Sequence, residues 1–63
     1  MKTKDYKVVL TYENGSRDAA IVSVADVASV MMISRGWLLT SACAVRVRYY
    51  QVEDPSVEGC YVR

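Results

Sequence analysis

With 63 residues, the chain has room for one small domain, residues 1–63, whose core hides only about 60% of the surface the unfolded chain exposes. It contains no His and only two Cys, so the commonest general base is missing, a Cys-rich zinc site is ruled out, and neither metal nor cofactor is expected. Eight basic and seven acidic residues leave a net charge of +1, so any attraction for phosphate has to come from local placement rather than from the whole chain.

The opening segment, Met1-Lys2-Thr3-Lys4-Asp5, runs into a strand-like pattern without an apolar leader. The longest mostly apolar stretch, Val24 to Ile33, contains Asp26 and Ser29 and is too short to span a bilayer. The expectation is a cytoplasmic protein with no membrane association and with Cys43 and Cys60 reduced.

In residues 6–12, Tyr6, Val8, Leu10 and Tyr12 alternate with Lys7, Val9 and Thr11, the period of a strand. Asn14-Gly15 is a strong hairpin signal, and Arg17 to Ser23 reads as the return strand. A two-residue loop sets Leu10 opposite Ala19 and Val8 opposite Ile21, matching apolar with apolar. A shift by one residue would set Asp18 opposite Leu10, so the two-residue loop is expected.

Ser23 is expected to open a helix, with Asp26 as its capping partner three residues on, and Gly36 to close it. At about 100° per residue, Val24, Val27, Ala28 and Met31 form one stripe, the expected core face. Trp37-Leu38-Leu39 leads out, and Cys43 to Val52 reads as a third strand. Its inner side carries Cys43, Val45, Val47, Tyr49 and Gln51, and its outer side Ala44, Arg46, Arg48, Tyr50 and Val52. Glu53-Asp54-Pro55-Ser56 is a turn, and Gly59 to Arg63 a short fourth strand along an edge. The expected fold is α+β: a small antiparallel sheet of order β-β-α-β, with a short fourth strand and one helix packed on one face.

Catalytic chemistry finds little support. Cys43 has the parity of a buried small hydrophobe, and no Ser occupies a nucleophile elbow. The isolated glycines form no phosphate cradle, and Glu53, Asp54 and Glu58 lack calcium-loop spacing. No enzyme is expected.

The informative segment is Arg46-Val47-Arg48-Tyr49-Tyr50. Arg46, Arg48 and Tyr50 project opposite the helix, joined by Lys7 and Thr11 and made partly apolar by Val9, Ala20 and Val22. Such a face can pair with phosphate bidentately and stack on a base, although Arg and Tyr are also ordinary solvent-side residues of a half-covered sheet. On the helix, Val30, Met32 and Ile33 lie off the core stripe, an apolar flank that points to an oligomer interface, a homodimer being the first expectation.

The leading expectation is a small non-enzymatic binding protein, an oligomeric inhibitor or accessory protein of the phage or mobile-element anti-defence kind. It would bind and block a host protein, with Tyr50, Trp37 and the Arg pair as anchors. One alternative is an oligomeric sponge that holds a small anionic nucleotide signal through Arg46, Arg48, Tyr49 and Tyr50. A nucleic-acid-binding module is a further alternative, which a chain of net charge +1 supports only where an oligomer aligns its Arg pairs.

Overall fold

The computed structural model describes residues 2–63. Strands β1 (Lys4–Tyr12) and β2 (Arg17–Val24) are followed by helix α1 (Val27–Thr40), then by β3 (Ala44–Gln51) and β4 (Glu58–Val62). The strands form one antiparallel sheet of order β2-β1-β3-β4, with the helix on one face. The α+β class, the element order and the fourth edge strand all match the expectation.

Tyr6, Val8 and Leu10 of central strand β1 point under the helix. There they form the core with Val30 and Leu38 of α1 and Ala44, Val47 and Tyr49 of β3. The alternation that marked β1 as a strand also decides its buried face.

The hairpin register differs from the expected one by a residue: Leu10 pairs with Asp18 and Val8 with Ala20. The loop is Glu13-Asn14-Gly15, closed by Gly15 N–H donating to the Tyr12 carbonyl at 3.0 Å and Tyr12 N–H to the Ser16 carbonyl at 2.9 Å. Gly15 takes a φ of 85°, the left-handed residue that a three-residue hairpin loop requires. The Asn14 side chain accepts from the Ser16 N–H at 2.9 Å and from its hydroxyl at 2.6 Å, fixing the turn. Asp18 costs nothing opposite Leu10 because it is exposed at the sheet margin. There it accepts from the Tyr12 hydroxyl at 2.6 Å, which raises the pKa of that phenol.

Ser23 remains in β2, and Asp26 caps the helix. Its carboxylate accepts from the Ser29 N–H at 2.9 Å and the Ser29 hydroxyl at 2.8 Å. Those bonds, the backbone one first, hold the carboxyl below its ordinary pKa.

Gly36 does not stop the helix: it is an interior position whose Cβ direction is open. The last turn instead meets a cation from the other end of the chain. The Arg63 guanidinium donates to the carbonyls of Ser41 at 2.8 Å, Ala42 at 3.2 Å, and Leu39 and Ala44 at 3.3 Å.

The buried face of the helix is Val30, Ser34 and Leu38, flanked by half-buried Trp37. Of the expected stripe, Val27 and Met31 are 39% and 38% exposed, Ala28 is exposed, and Val24 ends β2. Ser34, a polar residue at the centre of the buried stripe, disguises its direction in the sequence.

Cys43 precedes β3 and is exposed, contrary to its expected burial. Tyr12 pairs with Ala44 but Thr11 with Arg46, leaving Val45 as an extra residue. This bulge lets Ala44 and Val47 both face inward and breaks the parity that would have carried Cys43 inside. Val52 lies beyond the strand. Gly59 of β4 stands opposite Tyr49, and a Cβ at that position would run into the Tyr49 ring.

Candidate binding face

Sheet pairing sorts side chains by parity, so the face away from the helix follows from the register. β1 contributes Asp5, Lys7, Val9 and Thr11, opposite Ser23, Ile21, Ala19 and Arg17 of β2. On the other side of β1, Tyr50, Arg48 and Arg46 pair with Lys7, Val9 and Thr11. β4 adds Glu58, Cys60 and Val62. Ala20 and Val22, expected on this face, lie on the helix side instead because of the register shift.

Lys7, Arg17, Arg46 and Arg48 therefore share one surface, opposed only by Asp5 and Glu58. The remaining charged residues, Lys2, Lys4, Arg35 and Arg63 against Glu13, Asp18, Asp26, Glu53 and Asp54, leave the rest of the chain slightly acidic. The separation comes from β pairing and is invisible in the net charge of +1.

Val9, Thr11, Arg17, Arg46, Arg48 and Tyr50 line a hollow of about 230 Å³ on this face. Arg48 is the most constrained of the cations. Its guanidinium lies 5.7 Å from the centre of the Tyr50 ring and donates to Glu58 at 3.2 Å. That ion pair is solvent-exposed on both sides, so it orients Arg48 without contributing much stability. Arg46 and Arg17 are exposed at the margin of the hollow.

Four of the six residues expected to bind a ligand or partner are brought together: Lys7, Arg46, Arg48 and Tyr50. Tyr49 is not among them. It is 5% exposed on the helix-covered face, with its ring centre 6.4 Å from that of Tyr61, and burial raises the pKa of its hydroxyl. Trp37 is half-buried against the core on the helix, on the other side of the sheet from the Arg residues.

Arg17 is a site residue that sequence reasoning missed. Its signal was the alternative hairpin register, which sets it opposite Thr11 and across β1 from Arg46.

The expected oligomer flank also divides. Val30 is fully buried in the core, whereas Met32 is 76% and Ile33 41% exposed. Arg35 is the sole charged residue between Val27 and Thr40, so the outer helix surface is apolar around Ala28, Met32 and Leu39.

Among the described residues no cluster of three or more His, Cys, Asp or Glu could hold a metal ion, and no helix is long and apolar enough to cross a membrane. Comparison of the chain with protein-family models, curated proteins and solved structures finds no match in any of the three.

Proposed function

We propose that this protein is a non-enzymatic binding module that docks its open sheet face on an acidic surface of another protein and blocks it. One observation carries the reading: Lys7, Arg17, Arg46 and Arg48 gather around Tyr50 on an uncovered sheet face, while the rest of the chain is slightly acidic. Arg and Tyr supply a large share of interface energy. A one-sided field also steers an oppositely charged partner and fixes its orientation.

The shape of the face favours a macromolecular surface over a small ligand. A site that holds a small molecule usually encloses most of it in roughly 300–1,000 Å³, and the hollow beside Arg46 and Arg48 has only about 230 Å³. Capture of a nucleotide would also draw on Tyr49, which is buried on the opposite face.

The test compares immobilised wild-type protein with Arg46→Glu/Arg48→Glu in the same host-cell lysate. The wild type is expected to retain an acidic protein that moderate salt releases, and the charge-reversed variant to lose it. Equal retention by both would overturn the reading. A nucleotide that raises the melting temperature of the wild type but not of Arg46→Ala would replace it with nucleotide sequestration.

A further inference from the structure

β2 lies at one margin of the sheet, and the backbone hydrogen bonds of β1 decide which backbone groups of β2 are free. Tyr12 N–H bonds to the Ser16 carbonyl, and the Asp5 carbonyl accepts from Val52 on the β3 side. In an antiparallel ladder this alternation directs the N–H and C=O groups of Asp18, Ala20, Val22 and Val24 toward β1. Those of Arg17, Ala19, Ile21 and Ser23 point out to the margin.

Natural sheets blunt such an edge with charges, Pro or a bulge. From Ala19 to Val24 the strand has none of these: its sequence is Ala-Ala-Ile-Val-Ser-Val, paired to β1 without interruption, and Ile21 is 58% exposed.

We propose that β2 pairs antiparallel with β2 of a second copy about a two-fold axis at Ala20, joining two four-stranded sheets into one. With the axis there, Arg17 opposes Ser23 and Ala19 opposes Ile21 of the other copy. Every outward residue is then used, giving about eight main-chain hydrogen bonds.

Charge complementarity selects a second copy as the occupant. One end of β2 carries Arg17 and Asp18. At the other end, Ser23 and Val24 pair with Asp5 and Lys4. Antiparallel pairing brings these ends together on the open face: Arg17 of one copy opposes Ser23 of the other, in line with Asp5 on the next strand. Within one copy, Arg17 and Asp5 lie at opposite ends of the hairpin, about 20 Å apart, and cannot pair. The dimer holds whether or not the open face binds an acidic protein, and it would double that face by placing both copies' cations on one continuous sheet.

The test is sedimentation velocity on the full chain up to about 1 mM, with circular dichroism to confirm folding. Wild type is expected to sediment as a dimer. Ile21→Pro removes only a margin-facing N–H and is expected to weaken the dimer at least about tenfold. Arg17→Glu weakens it by about tenfold through repulsion from Asp5, and Arg17→Glu/Asp5→Arg restores it. A wild-type monomer throughout would overturn the proposal. So would a dimer insensitive to Ile21→Pro and Arg17→Glu, since its interface would lie elsewhere. If Ile21→Pro fails to fold, the charge-swap pair decides, because all of its substitutions are exposed.

Discussion

Ser34 offers a sharp test of the helix packing. It is fully buried between Val30 and Leu38 on the core stripe, and its hydroxyl has no hydrogen-bond partner. Burying an unpaired hydroxyl costs about 1–3 kcal/mol, and Ala exceeds Ser in helix propensity by about 0.5 kcal/mol. Against this, Ser34→Ala loses the packing of one oxygen and leaves a small void, a cost of about 0.5 kcal/mol. The net expectation is a stabilisation of about 1–3 kcal/mol. In a domain of this size that is a rise of about 5–20 °C in melting temperature. In urea it is an upward shift of about 1–3 M in midpoint. The fluorescence of Trp37, the only Trp and half-buried beside this stripe, reports the transition. A lower midpoint for Ser34→Ala would refute the reasoning, because the hydroxyl would then be bonded in solution, most simply to the Val30 carbonyl one turn back.

Three further outcomes follow from contacts outside the proposed site. Gly59→Ala places a Cβ against the Tyr49 ring and is expected to cost about 1–3 kcal/mol in denaturant melts. The cost should shrink in a Tyr49→Val background, where that ring is absent. Arg63→Ala removes the guanidinium that bonds the Leu39, Ser41, Ala42 and Ala44 carbonyls. It should cost about 1 kcal/mol after allowing for solvent exposure, with amide exchange accelerating locally around residues 39–45. Asp26 has a folded-state pKa below its unfolded one, so its contribution is present above the unfolded pKa and lost as pH falls through the folded value. A melting-temperature advantage of wild type over Asp26→Asn at neutral pH should therefore close as pH drops to about 2.

The sequence revealed elements more readily than faces. β1 announces its inner side because Tyr6, Val8 and Leu10 alternate strictly, and β3 does so from Arg46 onward for the same reason. β2 has no such contrast. Ala19 beside Ala20 and Ile21 beside Val22 read almost equally well in either parity, and an edge strand that the helix covers little does not punish a polar residue at Asp18. The register therefore rests on the turn, where Gly15 alone takes the left-handed conformation and Asn14 bonds Ser16. The apolar match of a two-residue loop would place Arg17 on the helix side, off the open face.

The helix boundary was hidden for a different reason. Gly36 resembles a stop, but the Leu39 carbonyl of the last turn and the Ser41 carbonyl at the cap accept from Arg63, more than twenty positions away in the chain, and no local pattern records that contact. The inward parity of Tyr49 with Val47 is legible in the sequence, whereas its adjacency to Arg48 and Tyr50 suggests a shared site that the strand does not provide. On a strand, adjacency means opposite faces.

The proposed contact is between the Lys7/Arg17/Arg46/Arg48/Tyr50 face and an acidic protein. Amide chemical-shift mapping of the ¹⁵N-labelled chain, titrated with the protein that lysate capture retains, tests it most directly. The largest perturbations are expected at Lys7, Val9, Arg17, Arg46 and Arg48, diminishing as salt is raised. Perturbations centred instead on Met32, Gly36 and Leu39 of the helix, and indifferent to salt, would contradict it.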